Sequence, residues 1–247
     1  MDDKKCERVG NLLERVWDMS CIFDNNYVAI VECKRENRRR VSYENEDFTG
    51  QDFSYIDFTN ATFTNCIFDE ADFTNTVLYN VKAEKCSFRR ANFTDAILAS
   101  GNFRFADLEG CNLSGANCFY ALFEYANMKC IIDSSSTKFY RLYCPETGGF
   151  VAYKKCVENR IVTLYIPPDA IRLSATGVTC RTNKVKVLMI ESFEGDERFE
   201  EAYSLAAEGF LYQVGTTVIE NNINLDRWMD STSGIHFFMT KEEAKQY

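Results

Sequence analysis

Histidine occurs once in 247 residues, at His236, and a single imidazole excludes histidine-rich metal sites and two-histidine chemistry. Proline occurs three times and 46% of residues are hydrophobic, so a Pro-rich or disordered chain is excluded. No run approaches the ~20 apolar residues that a membrane helix needs. The Lys/Glu-mixed N-terminus does not carry the apolar region of a signal peptide. Positive charge is scarce: 28 Lys and Arg against 37 Asp and Glu leave a net charge of -9, which argues against direct nucleic-acid binding. P-loop, GxSxG, HExxH and dinucleotide fingerprints are all missing. Eleven cysteines are present, but an odd number without CxxC spacing reads as reduced thiols. The expectation is a cytoplasmic protein of one or two domains, with no membrane contact, no metal and no cofactor.

What the sequence does have is a period of five. From Glu46 to Cys130 it reads as 17 gapless pentads, with Phe or Leu at the third position of 14 of them. The exceptions are Ala83, Cys118 and Met128, and Val41 with Tyr43 extends the register backward. From Ala61 onward the first position is always Ala, Cys, Gly, Thr or Val. Large residues at one position and small ones at another suit a repeating coil whose axis is filled and whose neighbouring positions are crowded. The pentads ANFTD, ADLEG, CNLSG and ADFTN resemble the pentapeptide-repeat family. That resemblance implies a right-handed quadrilateral β-solenoid in which four pentads make one coil, here about four coils over residues 41–130. Residues 20 apart then stack, placing Phe48, Phe68, Phe88, Leu108 and Met128 in one inner ladder. Cys66 and Cys86 read as snug core thiols rather than a metal site. Ala83, the one undersized axial residue, predicts a small void or bulge.

The resemblance also implies a functional class, since many of these proteins are acidic mimics of duplex DNA that occupy type II topoisomerases. A rod of this length spans ~20 Å, over which duplex DNA carries about 12 negative charges. Residues 46–130 hold 12 acidic and 6 basic side chains, about half the net charge that mimicry wants. In the columns Asp69–Arg89–Glu109 and Glu84–Arg104–Glu124 the signs alternate, which reads as cross-coil pairing on a solvated face. The remaining acid, Asp47, Asp52, Asp57 and Asp72, is the candidate DNA-like patch, with service to backbone turns as the competing reading. Phe105, Phe119, Tyr120 and Tyr125, with Tyr79 below, form a candidate aromatic patch, docking either a foreign partner or this chain's own C-terminal part.

Residues 1–40 are expected to cap the solenoid with a helix over Asp3–Ser20 and a strand over Tyr27–Cys33. The run Arg35, Arg38, Arg39 and Arg40 reads as a solvated turn or a phosphate-binding arm. Residues 131–140 read as a Ser-rich linker, and 141–247 as an α+β domain. Its expected strands are Gly149–Cys156, Ile161–Ile166, Lys184–Glu191, Phe210–Val214 and Gly234–Met239. Helices are expected over Glu197–Ala207 and after a capping box of Thr240 and Glu243. CRTNKVKVLMI, FLYQVGTTV and SGIHFFMTKEEAKQY resemble an uncharacterised domain that follows pentapeptide repeats in phage and giant-virus proteins.

Two functional readings follow. One is a non-enzymatic interaction module, an inhibitor of a host nucleic-acid-processing or defence enzyme of phage or prophage type, whose partner is a host protein and not DNA itself. The other is a structural solenoid carrying an enzymatic or anion-binding C-terminal domain centred on His236. That pocket would use Arg181, Lys184, Arg227 and His236, or pair His236 with Cys156 or Cys180 as nucleophile and Asp230 as orienter. End-to-end homodimerisation is left open by the sequence.

Overall fold

In the computed structural model, residues 36–206 and 209–247 are described. The expected cap helix and strand, and Arg35, lie outside them. The chain divides into two compact units that meet in sequence between Lys138 and Phe139, each taken by itself below.

The first unit is a β-solenoid. Its regular strands are short: β1 (Glu36–Asn37) pairs in parallel with β3 (Ile56–Asp57), and β2 (Ser42–Glu44) pairs with β4 (Thr62–Thr64). Beyond them four parallel ladders climb in steps of 20 residues. One runs Asp47–Ile67–Ser87–Asp107–Asn127, and the next Asp52–Asp72–Asn92–Asn112–Ile132.

One pentad, Ala91–Asp95, shows how the backbone is satisfied. Ala91 N–H closes a turn on Phe88 O at 3.0 Å; Asn92 N–H reaches down one coil to Ala71 O at 2.9 Å. Phe93 N–H and Asp95 N–H reach up one coil to Asn112 O at 2.8 Å and Ser114 O at 2.9 Å. The fifth donor, Thr94 N–H, bonds the Asn92 side-chain Oδ1 at 3.2 Å. This Asx turn is why Asp or Asn suits the second position. It recurs at Asp47, Asp52, Asp57, Asp72, Asn102, Asp107, Asn112 and Asn117. The fifth residue of each pentad takes a left-handed backbone, with φ between 52° and 61° at non-glycine residues such as Asn60, Glu70 and Arg90. Gly110 and Gly115 meet the same demand without a Cβ.

The third positions fill the axis. Phe58, Phe68, Phe73, Phe88, Phe93 and Phe103 are fully buried, and rings 20 residues apart stack nearly parallel. Phe68–Phe88 and Phe73–Phe93 each have centroids 5.0 Å apart at 8°. The small first positions are required by sterics: a Cβ on Gly101 would stand 2.6 Å from the Phe103 ring and 2.9 Å from Leu98 O. At Ala83 the ladder does not bulge. Phe63 N–H bonds Lys82 O at 2.7 Å and Ala83 N–H bonds Asn102 O at 2.8 Å, because the ladder needs only the backbone. Nor does the coil stop at Cys130. Ile132 and Lys138 continue two ladders, and the buried Thr137 hydroxyl bonds Leu113 O at 2.9 Å, so 131–138 packs as solenoid rather than as a linker.

The second unit is almost all antiparallel sheet. Strands β5 (Phe150–Cys156) and β6 (Arg160–Ile166) form a hairpin around a turn in which Glu158 and Asn159 are left-handed. After them come β7 (Arg172–Ser174), β8 (Cys180–Thr182), β9 (Lys184–Ser192), β10 (Arg198–Phe199), β11 (Glu201–Tyr203), β12 (Leu211–Gln213), β13 (Thr217–Ile219) and β14 (Ile235–Phe237). β9 pairs with β6 on one edge and with both β13 and β10 on the other, while β14–β8–β7 makes a second sheet. Tyr153 and Phe238 exchange backbone hydrogen bonds of 2.8 and 2.7 Å, which places β5 beside the end of β14. The core gathers Val162, Leu164, Val187, Ile190, Tyr212 and Phe237.

The capping box forms as expected: Thr240 and Glu243 bond each other's backbone at the start of α1 (Lys241–Gln246). The helix expected over Glu197–Ala207 does not, for Arg198–Phe199 pairs with β9 and Glu201–Tyr203 pairs with β12. Ala202 is buried between exposed Glu201 and Tyr203, so tertiary pairing overrides the helical preference of Glu-Glu-Ala. The α+β expectation thereby reduces to sheet with one short helix among the described residues.

Phe88→Ala removes a ring that touches Phe68, Phe73, Phe93 and Phe103. The expected cost is about 3–5 kcal/mol, read as a lowered midpoint in chemical denaturation; an unchanged midpoint contradicts the axial assignment.

Candidate functional site

A solenoid whose interior is packed with rings can only offer its outside. Of the four candidate aspartates, Asp57 is 1% exposed and pairs with Arg39, so it leaves the patch. The basic run accordingly belongs to the first turn: Arg39 N–H also bonds Asn37 Oδ1 at 3.1 Å, and Arg38 donates to the Tyr43 hydroxyl at 3.1 Å. Asp47, Asp52 and Asp72 each accept the N–H and hydroxyl of the residue two ahead on Oδ1, and Asp72 Oδ1 also accepts from Asn92 Nδ2 at 3.2 Å. At Asp47 the Thr49 hydroxyl and N–H hold the carboxyl below the usual carboxylate range, so it stays ionised. Asp52 and Asp72 are direct ladder partners, which stacks like charge on like.

Farther along, the charges neutralise one another. Arg89 reaches Asp107 at 3.0 Å and Glu109 at 3.2 Å, Arg104 pairs with Glu124, and Arg90 pairs with Glu70. Glu84 instead accepts from Asn102.

The aromatic patch is only partly assembled. Phe105 and Tyr125 stand on left-handed fifth positions, 49% and 61% exposed, and stack at 4.9 Å and 10° with Lys85 6.0 Å from the Phe105 centroid. Phe119 does not join them. It occupies a fourth position, is buried, and packs against the half-buried Tyr120 at 4.4 Å.

In the second unit the expected anion pocket is not brought together, because each cation is already spent. The Arg181 guanidinium, 1% exposed, donates to the carbonyls of Asn224, Asp226 and Ser233 at 2.8–3.0 Å. Arg227 donates to Tyr140 O at 2.6 Å and Ser174 O at 3.0 Å and stacks on Trp228, while Lys184 pairs with Asp169 at 2.7 Å. The nucleophile reading fares no better. His236 Nε2 donates to the main-chain carbonyl of Asp230 at 3.1 Å rather than to its carboxylate. Burial pushes the Cys156 thiol up to about 11. The Cys180 thiol is also pushed up, first by its hydrogen bond with Cys144 and then by burial, so both candidate nucleophiles are held protonated.

What the strands do enclose is a cavity of about 240 Å³ lined by Lys154, Phe210, Tyr212, Glu220, Ser233 and His236, among others. Lys154 is the member that sequence reasoning missed. It sits inward on β5 with the parity of Ala152 and Cys156, both fully buried, and that alternation was its available signal.

Comparison with known proteins places these units. Residues 37–117 match the model of a pentapeptide repeat region, and residues 140–244 match a family of unknown function (DUF5758). An uncharacterized protein, L223, of Acanthamoeba polyphaga mimivirus is 33% identical over 99 residues, covering 35% of this chain and 61% of that protein. A pentapeptide repeat protein of the Arabidopsis thaliana thylakoid lumen aligns at 20% identity and TM-score 0.30, over 35% of this chain and 64% of that one. Rfr23 of Cyanothece 51142 aligns at 22% and 0.29, over 45% and 95%. QnrB1, a plasmid-mediated fluoroquinolone resistance protein, aligns at 24% and 0.21, over 36% and 47%. The chain spans less than two thirds of the mimivirus relative and of the thylakoid protein.

Arg89→Glu exchanges a half-exposed ion pair for repulsion and is expected to cost about 1 kcal/mol or less, measured by urea denaturation. Burial lowers the His236 pKa from 6.5, the charges of Lys154 and Arg181 add to this, and the Asp230 and Gly234 carbonyls oppose it. The folded imidazole therefore binds fewer protons than the unfolded one. Stability should rise with pH up to about 6.5 and then level, with a slope of at most about 1.4 kcal/mol per pH unit. His236→Gln should flatten that part of the urea midpoint profile relative to wild type. The solenoid and the matched models together identify residues 37–117 as a pentapeptide repeat region, carried in one chain with a domain of a family of unknown function.

Proposed function

We propose that the chain is a non-enzymatic protein-binding module that inhibits a host nucleic-acid-processing or defence enzyme through the outer surface of its solenoid. The carrying observation is the choice of Asp at positions where the turn needs only an oxygen. Asn92, Asn102, Asn112 and Asn117 make the same Asx turn without charge. Asp47, Asp52 and Asp72 make it with carboxylates, whose charge the turn does not require, and two of them are stacked. Three such charges fall short of a full phosphate track, so mimicry of DNA is partial at most and the exposed Phe105–Tyr125 pair supplies a second contact.

The test is capture from host-cell lysate by the tagged chain beside two variants, Asp47/Asp52/Asp72→Asn and Phe105/Tyr125→Ala. Asn keeps the turns, so folding is preserved. A captured nucleic-acid enzyme that is lost from the first variant and displaced from wild type by duplex DNA supports mimicry. Loss from the second variant alone assigns binding to the rings and ends the mimicry reading. Retention by both variants removes the solenoid surface from the function.

A further inference from the structure

Lys154 is 5% exposed, yet its ammonium has a single acceptor, the His236 carbonyl at 3.3 Å, and no carboxylate partner among the described residues. A protonated lysine carries three donors and is rarely buried unpaired. Its Nζ lies 5.9 Å from the Tyr212 ring centroid, and Lys154, Tyr212 and His236 line the same cavity. Ala206 and Ser233, which also line the cavity, are exposed, so solvent can enter the chamber that Lys154 lines.

From this arrangement we propose that the cavity is a small-molecule site in which the Lys154 amine captures a small hydroxylated aldehyde or ketone as an imine. The amine lone pair adds to the carbonyl carbon, and the carbonyl π electrons move to oxygen, which takes the proton released from nitrogen. The carbinolamine then expels one water to leave C=N, so no oxidant or reductant is consumed. Burial lowers the Lys154 pKa, opposed by Cys156, and a larger neutral fraction is what the addition requires. His236 and Tyr212 line the same cavity as the amine-bearing side chain. Serine and threonine hydroxyls and Glu220 suit a hydroxylated ligand, and Glu220 disfavours a keto acid. At about 240 Å³ the chamber lies below the ~300–1,000 Å³ of drug-sized pockets and fits a short carbon chain.

The full chain is incubated with dihydroxyacetone and sodium cyanoborohydride, which reduces the imine to a stable amine, and the adduct is located by peptide mass mapping. The expected result is a saturable single adduct at Lys154, formed at about tenfold the rate of any surface lysine or more. Lys154→Met, which keeps the stem over Tyr212, should lose that adduct. Urea-unfolded wild type should label its lysines evenly, which keeps the test decisive if the variant does not fold. Adducts spread over exposed lysines with Lys154 unmodified overturn the proposal. Equal labelling of Lys154 by pyruvate overturns its preference for hydroxylated carbonyls.

Discussion

The solenoid depends on closing a backbone turn every five residues while pairing the N–H groups between coils. Four of the five donors find carbonyls, one within the turn and three in the coils above and below. Where the second position is Asp or Asn, the fourth N–H takes its side-chain oxygen, as Thr94 does from Asn92, whereas Arg89 N–H, following Ser87, takes Asp69 Oδ1 from the coil below. The fifth residue must then adopt a left-handed φ, which for a non-glycine residue costs roughly 1–2 kcal/mol. That strain recurs at each corner and is offset by the ladder bond the same residue makes, as Asn80 N–H does with Ala99 O at 3.0 Å. The aromatic axis is what turns this local solution into a cooperative one, because a coil without neighbours has neither ladder partners nor stacked rings.

This backbone requirement decides how the outer charges are to be understood. Acid at the second position is first of all a turn former, and an acidic count over the whole rod overstates the charge available to a partner. Asp57 and Asp107 show the extreme cases, one buried against Arg39 and the other bonded to Arg89. Only where Asn would serve equally and the carboxylate remains at the surface does Asp carry information beyond folding. The ion pairs of Arg89, Arg90 and Arg104 lie on positions the turn leaves free, and their columns are correspondingly self-neutralised.

The solenoid was legible because its period is enforced locally: each pentad repeats the same steric and hydrogen-bonding problem, so the third-position Phe and first-position Ala recur without reference to distant sequence. The strands of the second unit were legible where alternation was long, as in β5, β6 and β9. Three-residue strands such as β7, β8 and β13 exist only through their partners, which sequence period does not reveal. The same reason misassigned 197–207, where Glu and Ala favour a helix but Ala202 is claimed by Tyr212 across the sheet. Arginine was the least legible residue. Arg181 and Arg227 look like ligands in one dimension and are structural in three, each gathering main-chain carbonyls that irregular loops leave unmatched.

Lys154 is the counterpart of those arginines. A guanidinium has five donors in a planar fork and can satisfy several carbonyls at once, so burying it in a loop nest stabilises the loop. An ammonium with one acceptor does not repay its desolvation, and an apolar side chain of the same length would be neutral or stabilising at that position. Packing alone therefore does not account for a lysine at the parity of Ala152 and Cys156, whereas a cavity with an imidazole, a phenol and hydroxyls around the amine does. Arg181 and His236 close the irregular segment 224–233 beside that cavity, Arg181 through Asn224, Asp226 and Ser233 and His236 through Asp230. Arg181 and His236 thus shape the wall of the chamber, and the chemistry it offers rests on Lys154, a buried cation with no carboxylate partner among the described residues.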